Sequence, residues 1–217
     1  MSGRIEGPVS VGSGRADRPK VAPGSWPDPT GTLISVAPAA CELGHLLRLA
    51  IDAEQVGATR IHLAVDQPDF VAAVAGLRGQ TDLVITADPD HDGSDLVDRV
   101  PPDFTEVVLD GDDPITLTAE VARMAAAARS EISFGGRGPA AVPVLFAAIA
   151  VGADLLVGTA LSPPEPADPA AGIAVAGRRN APARDDAALV ARASGLARIA
   201  GRAPAQGRAA RSRWHVG

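Results

Sequence analysis

The sequence predicts an α/β protein of the TIM-barrel type, built from repeated β–α units and incomplete, with about six of the eight strands of a full barrel. Three observations predict it. Short apolar runs bounded by turn residues alternate with longer segments of helical period. The runs are apolar on both faces, as strands are when helices cover both sides of a parallel sheet. The repeat is roughly two dozen residues, the length of a βα unit.

Residues 1–30 hold Gly, Pro, Ser and scattered charge without a period, and read as a disordered leader. The barrel-like domain is expected over 31–201. Its strands are "TLISVAPA" (32–39), "TRIHLAV" (59–65), "DLVITAD" (82–88), "TEVVLDG" (105–111), "SEISFGG" (130–136) and "DLLVGTA" (154–160). Helical segments lie between them: "CELGHLLRLAIDAEQVG", "PDFVAAVAGLR", "SDLVDRV", "PITLTAEVARMAAAAR" and "PAAVPVLFAAIAVG". In "GDDP", Asp113 is placed as N-cap and Pro114 at the first helical position. A Pro- and Ala-rich loop follows Ala160. "DDAALVARASGLARIAG" (185–201) then reads as a helix capped by Asp185 or Asp186 and closed by Gly201. Residues 202–217 form a basic tail, loose or docked on the surface.

A (β/α)8 barrel and a doubly wound open sheet both accommodate this order. "FGGRGPAAVPVLFAAIAVGADLLVGTAL" favours the barrel, since a glycine-rich turn, a helix and a last strand of this kind close many barrels. The strand count argues for a shortened one.

Composition narrows the function. Aromatic residues are 3% of 217 and Tyr is absent, which disfavours stacking of bases or sugars. The net charge of −6, with no basic stripe, argues against nucleic acid as a partner. Cys41 is the only cysteine, so no internal disulfide forms. No apolar run has the length of a membrane span and no secretion signal is legible, so a cytoplasmic location is expected. The open sheet edges of a short barrel invite association, so a homo-oligomer is expected.

In a βα barrel the chemistry sits at the C-terminal strand ends. His62 ends the second strand. "TADPDHDGSD" brings Asp88, Asp90, His91 and Asp92 to the end of the third, within reach of a shared cation or as plain turn chemistry. Glu42 follows the first strand, where it is either a catalytic carboxylate or a helix N-terminal charge. Asp110 ends the fourth. "GGRGP" (135–139) offers backbone N–H groups that cradle an anion, or an ordinary turn.

The chain resembles the β-keto acid cleavage enzymes, whose type member is 3-keto-5-aminohexanoate cleavage enzyme. The likeness runs through "ISVAPAACE", "GATRIHLAVD", "AVPVLFAAIAVGADLLVGTA" and "ARDDAALVARASGLARIAGRAPA", covering most of 32–210. It implies a zinc-dependent barrel that exchanges an acyl group between a β-keto acid and acetyl-CoA. It also implies a missing fifth and sixth strand between Arg129 and Ser130. By this resemblance the metal, zinc or another divalent ion, is held by His62; Asp88 and His91 of "TADPDHDGSD" are the residues that the chain itself offers as further ligands. Two of the three family ligand positions are Ala64 and Ala160, and the substrate-binding arginine falls at Leu156. Glu42 and Asp110 are the implied catalytic carboxylates and Thr86 a substrate contact, while Gly136 and Gly138 of "GGRGP" are substrate contacts by the anion-cradle reading. The competing readings are an inactive relative acting as a binding or interaction subunit, and a generic phosphate-binding barrel.

Overall fold

The computed structural model describes residues 31–87, 93–99, 101, 104–128, 131–161 and 182–214. Six strands are present: β1 (Ile34–Val36), β2 (Arg60–Leu63), β3 (Val84–Ala87), β4 (Thr105–Leu109), β5 (Ile132–Gly136) and β6 (Asp154–Val157). All their pairings are parallel, in the order β3-β2-β1-β6-β5-β4. That order decides between the two architectures. The last strand returns to pair with the first, as in a barrel, while β3 and β4 remain unjoined. The fold is a TIM-barrel-like half-barrel, open on one side.

The opening is not where the missing strands were expected. β4 and β5 pair over their whole length, from Thr105↔Ile132 to Leu109↔Gly136, so nothing is absent at Arg129–Ser130. The break falls between β3 and β4. The expected helix "SDLVDRV" is there a single turn, Ser94–Leu96. Beyond it Asp98 is drawn to the outer edge of β3, its N–H donating to Ile85 O (2.7 Å).

The helices are α1 (Leu43–Val56), α2 (Phe70–Gln80), α3 (Pro114–Ala127), α4 (Ala141–Val151), α5 (Pro182–Ile199) and α6 (Gly207–Arg213). α3 starts as its sequence dictates, since Asp113 accepts from the N–H groups of Ile115 and Thr116 behind Pro114. α1 and α4 end on glycines with positive φ, Gly57 and Gly152, where a side chain is disfavoured. One side of the sheet supplies the main core. Ile34, Val36, Ile61, Leu63, Ile85, Phe134, Leu155 and Val157 pack with Leu46, Leu49, Val74, Leu77, Val144 and Val190 of the helices. By strand alternation the residues between them line the concave side: Leu33, Ser35, Arg60, His62, Thr86, Glu106, Ser133, Asp154 and Leu156.

Two expectations for the C-terminal part change. α5 begins at Pro182, so Asp186 lies inside the helix rather than capping it. Residues 202–214 are no loose tail. Thr32 exchanges backbone hydrogen bonds with Ala203 and Ala205, and Trp214 is buried with Leu33, Val84, Ala205 and Ala210. The leader, the Pro- and Ala-rich loop after Leu161 and the last three residues lie outside the described residues. No helix among the described residues is long and apolar enough to cross a membrane.

Candidate functional site

His62 and Thr86 are register partners on β2 and β3, and so share the concave face. In β2 the neighbours Arg60, Ile61 and Leu63 are buried, and only His62 is half-exposed. Its Nδ1 lies 3.2 Å from Thr86 Oγ1. The Thr86 hydroxyl, fully buried, donates to Ile61 O at 3.4 Å. The single hydroxyl proton serves one of these two contacts, so the imidazole tautomer is coupled to where Thr86 places it.

Beside this pair the loops after β1, β2 and β6 are stitched together. Gln67, buried, reads both backbone groups of Cys41: Oε1 accepts from Cys41 N (3.3 Å) and Nε2 donates to Cys41 O (2.6 Å). Thr159 Oγ1 accepts from Ala39 N (3.1 Å) and donates to Asp186 Oδ2 (2.9 Å). Thr159 N donates to Asp186 Oδ1 (2.6 Å). Burial, and then the Asp186 charge, push the Cys41 thiol above its ordinary range, which disfavours a nucleophilic thiolate.

This stitching bears on the anion cradle expected at the last strand end. The amides of Thr159, Ala160 and Leu161 donate to Asp186, to Ala37 O (3.1 Å) and to Gly158 O (3.2 Å). The Asp186 carboxylate, from within the chain, thus engages the Thr159 amide expected to meet an anion. At "GGRGP" the amides of Arg137 and Ala140 are likewise engaged, by Leu109 O and Arg137 O. Gly136 is glycine because a Cβ there would lie 2.5 Å from Ala140 O; Gly138 has open space and a φ of +49°.

The other expected site residues are dispersed. Glu42 is exposed at the N-cap of α1, makes no side-chain cap bond, and opens the helix through its carbonyl. Asp110 is exposed and folds back to accept from Gly111 N (2.8 Å). Asp88 and His91 lie outside the described residues. No group of three His, Cys, Asp or Glu among the described residues is arranged to hold a metal.

Sequence reasoning passed over the base of the sheet, where the interior is charged. Arg60 is fully buried, paired with Glu106 across the open side, and stacked by Phe104 (5.4 Å) and Trp214 (4.8 Å). Burial pulls its guanidinium below the usual range while Glu106 pulls back. Asp154 accepts from Leu33 N (2.8 Å) and pairs with Arg213 (3.0 Å). Burial pushes its carboxyl up to about 6, against Arg213 and the Leu33 amide. The signal was in the text: an arginine in the otherwise apolar "TRIHLAV", two residues before His62 and so on its side of the strand.

No family model matches the chain, and no curated protein does. Among solved structures, the chain is similar to (S)-3-O-geranylgeranylglyceryl phosphate synthase from Thermoplasma acidophilum, in complex with sn-glycerol-1-phosphate. Identity is 13% and the TM-score 0.41, over 75% of this chain and 93% of that one. No family model and no curated protein supports the expected membership of the β-keto acid cleavage enzymes, which is withdrawn together with acetyl-CoA-dependent acyl exchange. The residues agree with the correction. Ala64 and Ala160 offer methyl groups where two ligands were required. Leu156, in place of the arginine, is buried in an apolar cluster with Ala37 and Leu161.

Proposed function

We propose that this chain binds a small polar molecule at the C-terminal ends of β1–β3 and exchanges a proton with it through His62. The observation that carries the reading is the His62–Thr86 pair. On this reading a buried hydroxyl on the neighbouring strand orients the one half-exposed side chain of β2 and sets it as the Nδ1–H tautomer. Histidine changes charge near neutral pH, and the strand ends are where βα barrels place their chemistry. The braced loops after β1, β2 and β6 give the site a fixed frame, which keeps a proton-exchanging group in place.

The test is NMR of the imidazole nitrogens, with acetate and inorganic phosphate as probes. The wild type should show the Nδ1–H tautomer, and Thr86→Val should shift it toward Nε2–H. Shifts on adding a probe should concentrate at His62, Thr86 and Ser35 and vanish in His62→Ala. An unchanged tautomer in Thr86→Val, or no response to either probe at His62, would sink the reading.

A further inference from the structure

The two ends of the sheet are not alike. The outer edge of β3 is sealed by Asp98, whose N–H donates to Ile85 O (2.7 Å) and whose carboxylate accepts from Ile85 N (2.9 Å). One residue thus stands in for a neighbouring strand. β4 has no such cover among the described residues; its one partner there is β5. Thr105 N donates to Glu131 O, and Leu109 O accepts from Arg137 N. In a parallel ladder alternate residues address opposite sides, so Thr105, Val107 and Leu109 bond to β5. The backbone N–H and C=O of Glu106 and Val108 point outward.

One inward charge, Glu106, is the only edge-blunting feature in "TEVVL". The strand holds no proline, lysine or bulge, and Val108 is 36% exposed. Its single charge, Glu106, is tied inward to Arg60.

We propose that β4 pairs with β4 of a second copy, antiparallel, about a two-fold axis through Val107. The register is self-complementary. Rotation about Val107 sets Glu106 opposite Val108, the two residues whose backbone groups point outward, and the pair occurs twice. Four inter-chain hydrogen bonds result, flanking a non-hydrogen-bonded Val107–Val107 contact. The charges also fit. Each Glu106 faces a valine rather than another glutamate, and it is already matched by its own Arg60. The charged residues of α3, the helix between β4 and β5, are Glu120 and Arg123, which pair with each other. The two Glu106 side chains lie diagonally on one face, each held by its own Arg60.

The experiment is light scattering on the eluting full-length chain, with engineered cysteines to read the register. Twice the 21.9 kDa chain mass is expected at high micromolar concentration. Val108→Pro removes an outward N–H and no bond to β5, so it should give a folded monomer. If that variant fails to fold, the cysteines decide. In a Cys41→Ser background, Val107→Cys should cross-link on oxidation, because directly opposed residues of a non-hydrogen-bonded pair lie close enough for a disulfide. Thr105→Cys, opposite Leu109, should not. A monomeric wild type overturns the proposal. So does a folded Val108→Pro dimer, or cross-linking at position 105 as readily as at 107.

Discussion

Asp154 shows how one residue sets a pH dependence. In the unfolded chain an aspartate ionises near pH 4, whereas in the fold burial holds Asp154 at about 6. Between these values the folded state keeps a proton that the unfolded chain has released. This group's contribution is therefore most favourable below about pH 4, falls as pH rises to about 6, and is level above, a loss of about 3 kcal/mol. Denaturation curves between pH 4 and 7 should show that slope, and Asp154→Asn should flatten it. A wild type with no decline over the interval would contradict the assignment. Gly158 is a second residue-scale constraint. Its φ is +147°, and a Cβ there would lie 2.0 Å from Ala37 O. Gly158→Ala should cost about 2–4 kcal/mol, read from the denaturation midpoint, because the β1–β6 seam must part to admit a methyl group.

At the scale of elements, what matters is which ones are tied to each other. α5 is held to the end of β6 by Asp186, which receives both Thr159 N and Thr159 Oγ1 while fully buried. Asp186→Ala would leave those donors unpaired, and a loss of about 2–3 kcal/mol is expected on urea unfolding. A neutral result would mean that water replaces the carboxylate. The start of α3 was legible because its cap is local: Asp113 and Pro114 act within one turn. The role of Asp186 was not legible, since its partner lies 27 residues away in sequence. The third helical segment failed for a related reason. "SDLVDRV" has helical spacing, but Asp98 finds its hydrogen bonds on the edge of β3 instead.

For the whole molecule, the base of the open sheet is closed from inside. α6 carries Trp214 beneath Arg60, and Arg213 onto Asp154, Glu131 and the carbonyl of Gly31. The ring of Trp214 also meets Phe104 edge-on at 4.5 Å. Trp214→Ala should therefore lose about 3–5 kcal/mol, near the top of the range for core truncation, and weaken the Arg60–Glu106 pair with it. Tm by calorimetry reads this directly. A fall comparable to that of a surface substitution would show that residues 202–214 are dispensable.

By itself the sequence determined the six strands, most of the helices and the (β/α) repeat, because apolar periodicity and local caps act within a few residues. It also singled out His62 and Thr86, each at a strand end, although it did not pair them. Only the tertiary structure decided that β6 returns to β1, that the opening lies between β3 and β4, and that the basic C-terminal segment is a structural part of the base. It also decided that Asp186 occupies the last strand end and that Glu42 and Asp110 stay at the surface. The family suggested by short motifs did not survive, since such runs of small residues are shared by many βα units. The physical reason is the same throughout. Periodicity is written along the chain, whereas strand order, buried ion pairs and site geometry depend on contacts between residues far apart in sequence.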